Sequence, residues 1–227
     1  MLCPFSVLDM ETGFMVHLIL LLVCSTPFYQ SVVDQPAKKL MDKVARHYKE
    51  LKGFEIKFQY EIKIDQNLEG PYSGQLISNG EKYKLVIPDL DLYCDGTAQY
   101  AHLKKNNEIQ ISKPQTTDTR YHPSELARIH QSGQYEYRIL EKIRENEKNL
   151  SVVEFKPSKR EDNVFKIKLF IFEPANSIEK VQWFEKSGKS TTVRFLKTTK
   201  STKLSDQLFK PDFEKLKGVH VEDLRDE

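Results

Sequence analysis

The chain has 227 residues, which is enough for one large domain, and its 35 basic and 33 acidic side chains leave a net charge of +2. A chain this close to neutral offers no electrostatic argument for nucleic-acid binding, which requires a strongly basic surface. Hydrophobic residues make up 39% and charged residues 30%, a balance that excludes both a polytopic membrane protein and a disordered chain.

The amino-terminal segment has the features of an export signal. Its apolar run over 16–24 is too short to span a bilayer, which needs about 20 residues. The run has the length of a signal-peptide core, and small and turn-forming residues follow it. We therefore predict a signal peptide over 1–30 and a single domain over 31–227.

Two alternatives remain open within this leader. Residues 1–14 contain acidic but no basic side chains, so translation from Met15 is a second interpretation of the start. Cys24 also permits acylation as a lipoprotein, although Val23 stands where a small residue is expected. If cleavage falls after Cys24, the mature chain keeps only Cys94, which suits an oxidising compartment.

An amphipathic helix follows the leader. Asp34 and Pro36 are typical of a helix start, and Gly53 of a helix end. Between them, apolar side chains recur at helical spacing and form one stripe, which consists of Ala37, Leu40, Met41, Val44, Tyr48 and Leu51.

The period then changes from helical to alternating. Over 54–64 apolar and polar residues alternate strictly, which predicts a strand with one apolar and one charged face. Asn67 to Pro71 predict a turn. Asn79-Gly80 and Asp95-Gly96 are hairpin turns, because both residues of such turns tolerate positive φ. They separate strand-like segments at 72–78, 81–87, 90–94, 97–103 and 107–112.

The second half repeats this pattern after a loop over 113–123 and a short helix that ends near Gly133. A tail over 204–224 has further apolar side chains. Strand-like segments lie at 134–144, 149–156, 164–173, 177–186 and 190–199. The sequence therefore predicts a mainly β, single-domain, antiparallel fold of about ten strands with two helices.

Such a sheet has more apolar surface than its two helices can cover. A ten-stranded sheet with one apolar face curls, and a large or incomplete barrel encloses a cavity. The functional interpretation is a hydrophobic cavity for a ligand such as an acyl chain. The alternative, which holds for any one of these residues taken alone, is a filled core.

We find no constellation typical of an enzyme. The motifs of hydrolases, zinc proteases, phosphate loops and dinucleotide sites are absent. Asp89 and Asp91 flank a turn and are more typical of hairpin-edge charges than of an acid/base pair. The histidines lack the spacing of metal ligands: His17, His47, His102, His122, His130 and His220. We expect no catalysis, no metal and no cofactor.

Several segments, taken in their order, resemble the LolA family of periplasmic lipoprotein carriers, in a divergent form similar to Bacteroidetes-like sequences. The resemblance covers residues 36–224 and begins with the helix and the alternating strand 54–60. The further segments are Tyr72-Ser-Gly-Gln-Leu76, Gly80-Glu-Lys-Tyr-Lys-Leu85, Leu92-Tyr-Cys-Asp-Gly96 with Tyr100, Glu108-Ile-Gln-Ile111, Leu208-Phe209, Phe213 and Gly218-Val-His-Val221.

This resemblance implies an open, incomplete antiparallel β-barrel whose helices form a lid over a hydrophobic cavity. It implies a monomeric periplasmic carrier, or chaperone, for acylated lipoproteins. Such a carrier accepts its cargo from an inner-membrane ABC transporter and delivers it to the outer membrane, in many members through a receptor there. We expect α-helical and strand residues to line the acyl-chain cavity, namely Leu40, Met41, Val44, Phe54, Ile56, Phe58, Tyr60, Ile62, Leu85, Tyr100, Ile129, Phe165, Ile167, Leu169, Ile171, Trp183 and Phe195.

We define the lid as the first helix and residues 114–133. The chain departs from the family at one position that bears on this lid. Better-known members have an arginine on the third strand that matters for the lid, and the resemblance places Lys84 at this position. Lysine keeps the charge but lacks the planar fork of donors. Lys84 is therefore the expected lid-control residue, and its mode of control differs from that of arginine.

Two other functional classes share the same half-barrel. One is a lipid-sensing regulator of envelope stress, which binds a partner protein instead of cargo. The other is a membrane-anchored lipoprotein acceptor, which requires acylation of Cys24.

Overall fold

The computed structural model describes four stretches of the chain, residues 34–114, 119–159, 161–201 and 203–225. The predicted signal peptide over 1–30, the alternative start at Met15 and the acylation of Cys24 lie outside these described residues.

The first helix, α1, spans Gln35–Leu51, where the apolar stripe predicts it. Asp34 caps this helix, because its carboxylate accepts a hydrogen bond from the Ala37 N–H over 3.1 Å. The predicted end at Gly53 is slightly late. Lys52 already leaves the helix with φ +60°, and Gly53 is the first residue of a strand.

Twelve strands and one further α-helix follow among the described residues. The second helix, α2, is short, spans Pro123–Arg128 and continues into a 3-10 turn at Ile129–Gln131. The strands are β1 Gly53–Ile64, β2 Asn67–Asn79, β3 Lys82–Ile87, β4 Leu90–Cys94, β5 Gln99–Leu103, β6 Glu108–Ser112, β7 Tyr135–Glu145, β8 Lys148–Pro157, β9 Val164–Phe172, β10 Ser177–Glu185, β11 Ser190–Lys200 and β12 His220–Asp223.

All twelve strands belong to one sheet in the order β12-β6-β5-β4-β3-β2-β1-β11-β10-β9-β8-β7. Successive strands pair as antiparallel hairpins within two series, β1–β6 and β7–β11. The pairing of β1 with β11 joins these two series. Because β12 and β7 are the two edges and do not pair with each other in the described chain, the sheet is open. The predicted mainly β, open antiparallel fold with two short helices is confirmed.

The twelfth strand is the part that the sequence did not predict. β12 pairs with β6 in the parallel direction, and all four of its residues are exposed. A strand without a buried face has no alternation by which to recognise it.

β2 starts earlier than expected. Asn67 to Pro71, predicted as a turn, belongs to the strand, because Asn67 pairs with Ile64 and the hairpin turn lies before it. The register shifts opposite Glu61, and Gly70 there has φ +105°. Gly70 and Pro71 therefore mark a bulge inside a strand, a position at which both residue types are tolerated.

The two faces of the sheet have different covers. We call the side that packs against α1 and α2 the apolar face and the opposite side the outer face. The tail after β11 covers part of the outer face: Leu216 packs against Ile109 and Ile111, and the Phe213 ring contacts that of Tyr100. Phe209 of the same tail is fully buried. The core thus lies mainly between the apolar face and the two helices.

Candidate functional site

The apolar face is one continuous hydrophobic surface whose buried residues extend from β4 to β8 across the centre of the sheet. Strand alternation places one side chain in two on this face, and the cross-strand pairs align them in rows. One row consists of Ile62, Thr191, Trp183, Ile167, Phe155 and Tyr137, which are successive partners in the strand register.

Most of the predicted cavity residues meet in this cluster. Ile62 and Ile129 pack against it while partly exposed. Thirteen others are buried within it: Leu40, Met41, Val44, Phe54, Ile56, Phe58, Tyr60, Leu85, Ile167, Leu169, Ile171, Trp183 and Phe195. The structure therefore brings these residues together in one cluster, and their role in binding an acyl chain stays a prediction.

The two helices occupy the apolar face with their own side chains. Met41 and Val44 of α1 and Leu126 of α2 are fully buried in the same cluster as the strand residues. The structure thus describes a closed arrangement. A ligand of any size can reach the central apolar face only if these helices move.

Polar contacts attach α1 at three points along its length. At its start, the second carboxylate oxygen of Asp34 accepts a hydrogen bond from the Ile139 N–H of β7 over 3.0 Å. Near its end, the buried Tyr48 hydroxyl accepts a hydrogen bond from the Ile178 N–H of β10 over 3.2 Å. Burial raises the pKa of Tyr48, so that this hydroxyl stays neutral.

The third attachment joins α1 to the segment after α2. His130 Nε2 lies 2.9 Å from an Asp42 carboxylate oxygen, and its Nδ1 lies 3.0 Å from the Ala127 carbonyl oxygen. Both partners are acceptors, so this arrangement is complete when the imidazole has both protons. Hydrogen bonds from Lys38 and His130 hold the pKa of Asp42 below its usual range.

A second histidine lies at the start of α2 and stays uncharged. The His122 ring is buried and contacts the rings of Phe54 and Tyr83 edge-on. Its Nδ1 lies 2.8 Å from the Ser124 hydroxyl. Burial lowers the pKa of His122 to about 4, because desolvation disfavours the imidazolium. This histidine therefore acts as part of the apolar packing between α2 and the sheet.

Two polar atoms on the apolar face have no hydrogen-bond partner among the residues that the structure describes. They are the Trp183 indole nitrogen and the Thr191 hydroxyl, and these residues are directly paired on β10 and β11. Trp183 is 5% exposed and Thr191 is 2% exposed. An unpartnered buried donor costs free energy, so this pair is the chemically unusual point of an otherwise apolar surface.

Comparison with solved structures gives likenesses of fold. An uncharacterised conserved protein from Thermus thermophilus matches with a TM-score of 0.57 and 12% identity, over 83% of this chain and 99% of that one. LolA superfamily proteins are among the structural neighbours. One from Nitrosomonas europaea matches with a TM-score of 0.41 and 14% identity, over 78% of this chain and 98% of that one.

A putative outer-membrane lipoprotein-sorting domain from Vibrio parahaemolyticus matches with a TM-score of 0.42 and 11% identity, over 79% of this chain and 99% of that one. No family model and no curated protein sequence matches the chain. At these identities the matches concern the fold, and they bring no function to this chain.

Three of the predicted site residues lie away from the apolar face. Tyr100 is on the outer face, where its ring contacts Phe213 of the tail, because the register pairs it with Tyr93. Phe165 is 45% exposed and its ring contacts Phe184, next to a register shift in the β9–β10 pair. A bulge interrupts the alternation from which its orientation was predicted.

Lys84, the third, is also on the outer face. Its ammonium group lies 5.1 Å from the centre of the Tyr93 ring, whereas its neighbours Tyr83 and Leu85 belong to the cluster beneath the helices. Lys84 therefore has no direct contact with the lid as the structure describes it. Tyr83 is the third-strand residue that touches α2, through His122.

The sequence interpretation missed the polar members of this site. Thr191 alternates with Val193 and Phe195 on β11, so its position on the apolar face could have been derived from parity. The Asp42–His130 contact joins residues 88 positions apart and has no local signal.

Two further properties concern the described residues as a whole. None of their helices is long and apolar enough to cross a membrane. They also contain no group of three or more His, Cys, Asp or Glu side chains that could hold a metal ion. A hollow of about 280 Å³ at one end of β7–β9 has a mixed lining, which includes Lys142, Glu173 and Phe172, and none of the predicted cavity residues.

Proposed function

We propose that this protein is a periplasmic carrier that binds the acyl chains of lipoproteins on its apolar face and moves them from the inner to the outer membrane. Residues 1–30 act as the export signal and residues 31–227 as the carrier domain. The acylated lipoprotein is the cargo, an inner-membrane ABC transporter the donor, and an outer-membrane receptor a further partner. The carrier works as a monomer, without a cofactor and without a catalytic step.

One observation supports this proposal most: a continuous apolar face closed by two helices and not by a second sheet. α1 contributes Leu40, Met41 and Val44 to the cluster. Burial of such side chains contributes roughly 1.5–3 kcal/mol each, hence about 5–9 kcal/mol in all. One long acyl chain contributes on the order of 10 kcal/mol when it leaves water. Ala37 and Tyr48 of the same helix are also buried in the cluster and add to this sum, so the two free energies are of the same order. An acyl chain can therefore replace the helix on the apolar face without a large net cost.

Near-equality of these two free energies is what a shuttle requires. A chain that bound far more tightly than in a membrane could not be delivered, and a chain that bound far less tightly could not be taken up. The three polar contacts of α1, at Asp34, Asp42 and Tyr48, hold the closed form without adding much apolar area. They fit a lid that reopens.

The residues proposed to contact the acyl chain are those buried beneath the helices, with Phe58, Ile167 and Phe195 at the centre. The test is native mass spectrometry of the full chain purified from the periplasm of cells that make it. We expect a co-purified mass that matches an acylated peptide or lipid. Ile129→Asp, at a partly buried lid position, should reduce that mass peak while the fold is retained by circular dichroism.

Depletion of the protein in its own cells separates the carrier from the alternatives. A carrier predicts that lipoproteins accumulate in the inner membrane. A lipid-sensing regulator predicts an unchanged lipoprotein distribution together with an altered stress response. A membrane-anchored acceptor predicts a diacylated Cys24 at the mature amino terminus, which mass spectrometry detects directly.

A further inference from the structure

The apolar face contains one place with unused hydrogen-bonding capacity. Trp183 Nε1 and Thr191 Oγ1 are buried, belong to residues directly paired across β10 and β11, and have no hydrogen-bond partner within the described part of the chain. Buried polar groups in folded proteins are almost always paired, so two unpaired ones side by side call for an explanation. A ligand that supplies the missing acceptor is one.

The chemistry of the two groups limits what this ligand offers. An indole nitrogen can only donate a hydrogen bond, and a threonine hydroxyl can donate or accept. Together they suit an oxygen atom with two lone pairs, such as a carbonyl oxygen. The pair therefore selects a hydrogen-bond acceptor.

The surroundings show that this acceptor is uncharged. The cross-strand neighbours of the pair are Ile62 and Ile167, and Val181 and Val193 follow on the same strands and face. The charged residues next to the pair along the chain are Glu185 and Lys189, and the Glu185 carboxylate is already approached by Arg120 at 3.8 Å and by Lys189 at 4.0 Å. A carboxylate or phosphate at the pair would lose its hydration on an apolar surface and lie near this carboxylate, which is unfavourable. A neutral carbonyl, attached to a hydrocarbon chain that continues along the apolar face, meets both conditions.

We propose that Trp183 and Thr191 bind the carbonyl oxygen of an acyl ester at the head of a bound acyl chain. This inference rests on the proposed function, and it adds the substrate class: acyl esters, in preference to ethers of the same chain length. The ester occurs both in the diacylglyceryl group of a lipoprotein and in a phospholipid.

The experiment compares three probes on the full chain by native mass spectrometry titration. They are a synthetic S-dipalmitoylglyceryl-cysteinyl peptide, its dialkyl ether analogue, and a dipalmitoyl phosphatidylglycerol. We expect the ester peptide to bind about threefold to tenfold more tightly than the ether peptide, which corresponds to one or two neutral hydrogen bonds. Of the two ester probes, the tighter-binding one identifies the natural source.

Three variants test the assignment to this pair. Trp183→Phe and Thr191→Val should remove the preference for the ester over the ether, whatever change each makes in the affinity for the ether itself. The matched control is Thr192→Val, because Thr192 is on the same strand, faces the other side and accepts a hydrogen bond from Gln182. It should keep the wild-type preference.

The stability of the ligand-free protein provides a second measurement, for which a ligand-binding role and a structural role of the Thr191 hydroxyl predict different changes. When an apolar side chain of similar shape replaces an unpaired buried polar group, no hydrogen bond is lost. Thr191→Val should therefore raise the unfolding midpoint or leave it unchanged. A purely structural role for the hydroxyl predicts a lower midpoint. Trp183 is the only tryptophan of the chain, so its emission should also change when the ester peptide binds.

The outcomes distinguish this inference from the proposed function. If the ester and ether peptides bind equally, or if the two variants keep the wild-type preference, the carbonyl site is wrong while acyl-chain binding stands. If none of the probes binds, both proposals are wrong.

Discussion

At the scale of single residues, His122 makes the folding stability depend on pH. It is buried between Phe54 and Tyr83, and burial lowers its pKa from 6.5 to about 4. As the pH falls, the unfolded chain binds the proton first, so folding stability is lost progressively between about pH 6.5 and pH 4. A shift of this size corresponds to about 3 kcal/mol. Urea unfolding at pH 7 and near pH 4 measures the loss.

The matched variant for this prediction is His122→Phe, which keeps an aromatic ring against Phe54 and Tyr83 but cannot titrate. We expect its stability to fall less over the same pH range. Parallel curves for the variant and the wild type would assign the acid sensitivity to other groups.

Gly74 of β2 leaves room for the ring of Phe58, the aromatic side chain at the centre of the apolar face, to pack against β2. A Cβ atom at this position would lie 2.2 Å from Cζ of Phe58, whose ring stacks on Tyr121 at 5.2 Å. Gly74→Ala should therefore displace Phe58 and destabilise the fold by about 1–3 kcal/mol. Thermal unfolding measures this cost.

Two comparisons check that the cost comes from this contact. Ser73→Ala, at the exposed neighbouring position, should change the stability by less than about 0.5 kcal/mol. Phe58→Leu should make Gly74→Ala better tolerated, since the colliding ring is gone. Additive effects of the two substitutions would contradict the steric explanation.

At the scale of elements, the Asp42–His130 contact holds α1 against the segment that follows α2. His130 is buried, whereas Asp42 is partly exposed and also pairs with Lys38 in solvent. Asp42→Asn removes the carboxylate and should reduce the stability of the docked helix by on the order of 1 kcal/mol. Hydrogen exchange of the α1 amides should then become faster.

Lys38→Gln is the control for this change, because it removes only the exposed partner of Asp42. It should leave the exchange of α1 close to that of the wild type. If both variants accelerate exchange equally, the contact with His130 does not hold the helix.

The elements also show what a sequence can predict and why. α1 and the strands from β1 to β11 follow from hydrophobic periodicity, since a helix or strand with one buried face repeats its apolar residues. Where that periodicity is interrupted, prediction fails: at the bulge beside Gly70, at Phe165 next to a register shift, and in β12, which buries nothing. Parity errors of this kind exchange the two faces of a sheet.

The residues of the candidate site differ in the same way: some could be predicted from hydrophobic periodicity and others could not. Its apolar residues, such as Phe58 and Ile167, were predictable one strand at a time. Its polar features were not, because the Asp42–His130 contact and the unpartnered Trp183 and Thr191 depend on how distant strands and helices come together. Lys84 shows what the sequence could not give. The resemblance to the family assigned this residue to the third strand, but only the register of β3 with β4 shows on which face of the sheet its side chain lies.

At the scale of the whole molecule, the tail is a second cover that stabilises the outer face. Phe209 of this tail is fully buried, whereas Phe213 is 45% exposed. Phe209→Ala should cost about 3–5 kcal/mol, as expected for a buried phenylalanine, and Phe213→Ala clearly less. Chemical denaturation of both variants makes the comparison. If both substitutions reduce the free energy of unfolding equally, Phe209 is not the main side chain that holds the tail in place.

The same two-sided arrangement would let the proposed carrier open without unfolding. The outer face has its own cover and the sheet its own hydrogen bonds, so displacement of α1 and α2 exposes only the apolar face. The free energies of the helix side chains and of an acyl chain on that face are similar in magnitude. If the proposed function holds, the helices and an acyl chain compete for this one surface.

The most direct test of this account is photo-crosslinking with a lipopeptide whose acyl chain has a diazirine near its end. After irradiation and digestion, mass spectrometry locates the labelled residues. If the acyl chain binds beneath the helices, labels are expected on the apolar face, at or next to Phe58, Ile167 and Val193, together with faster hydrogen exchange of α1. Labels confined to outer-face residues such as Tyr93, or an apolar face that stays unlabelled at saturating lipopeptide, would contradict it.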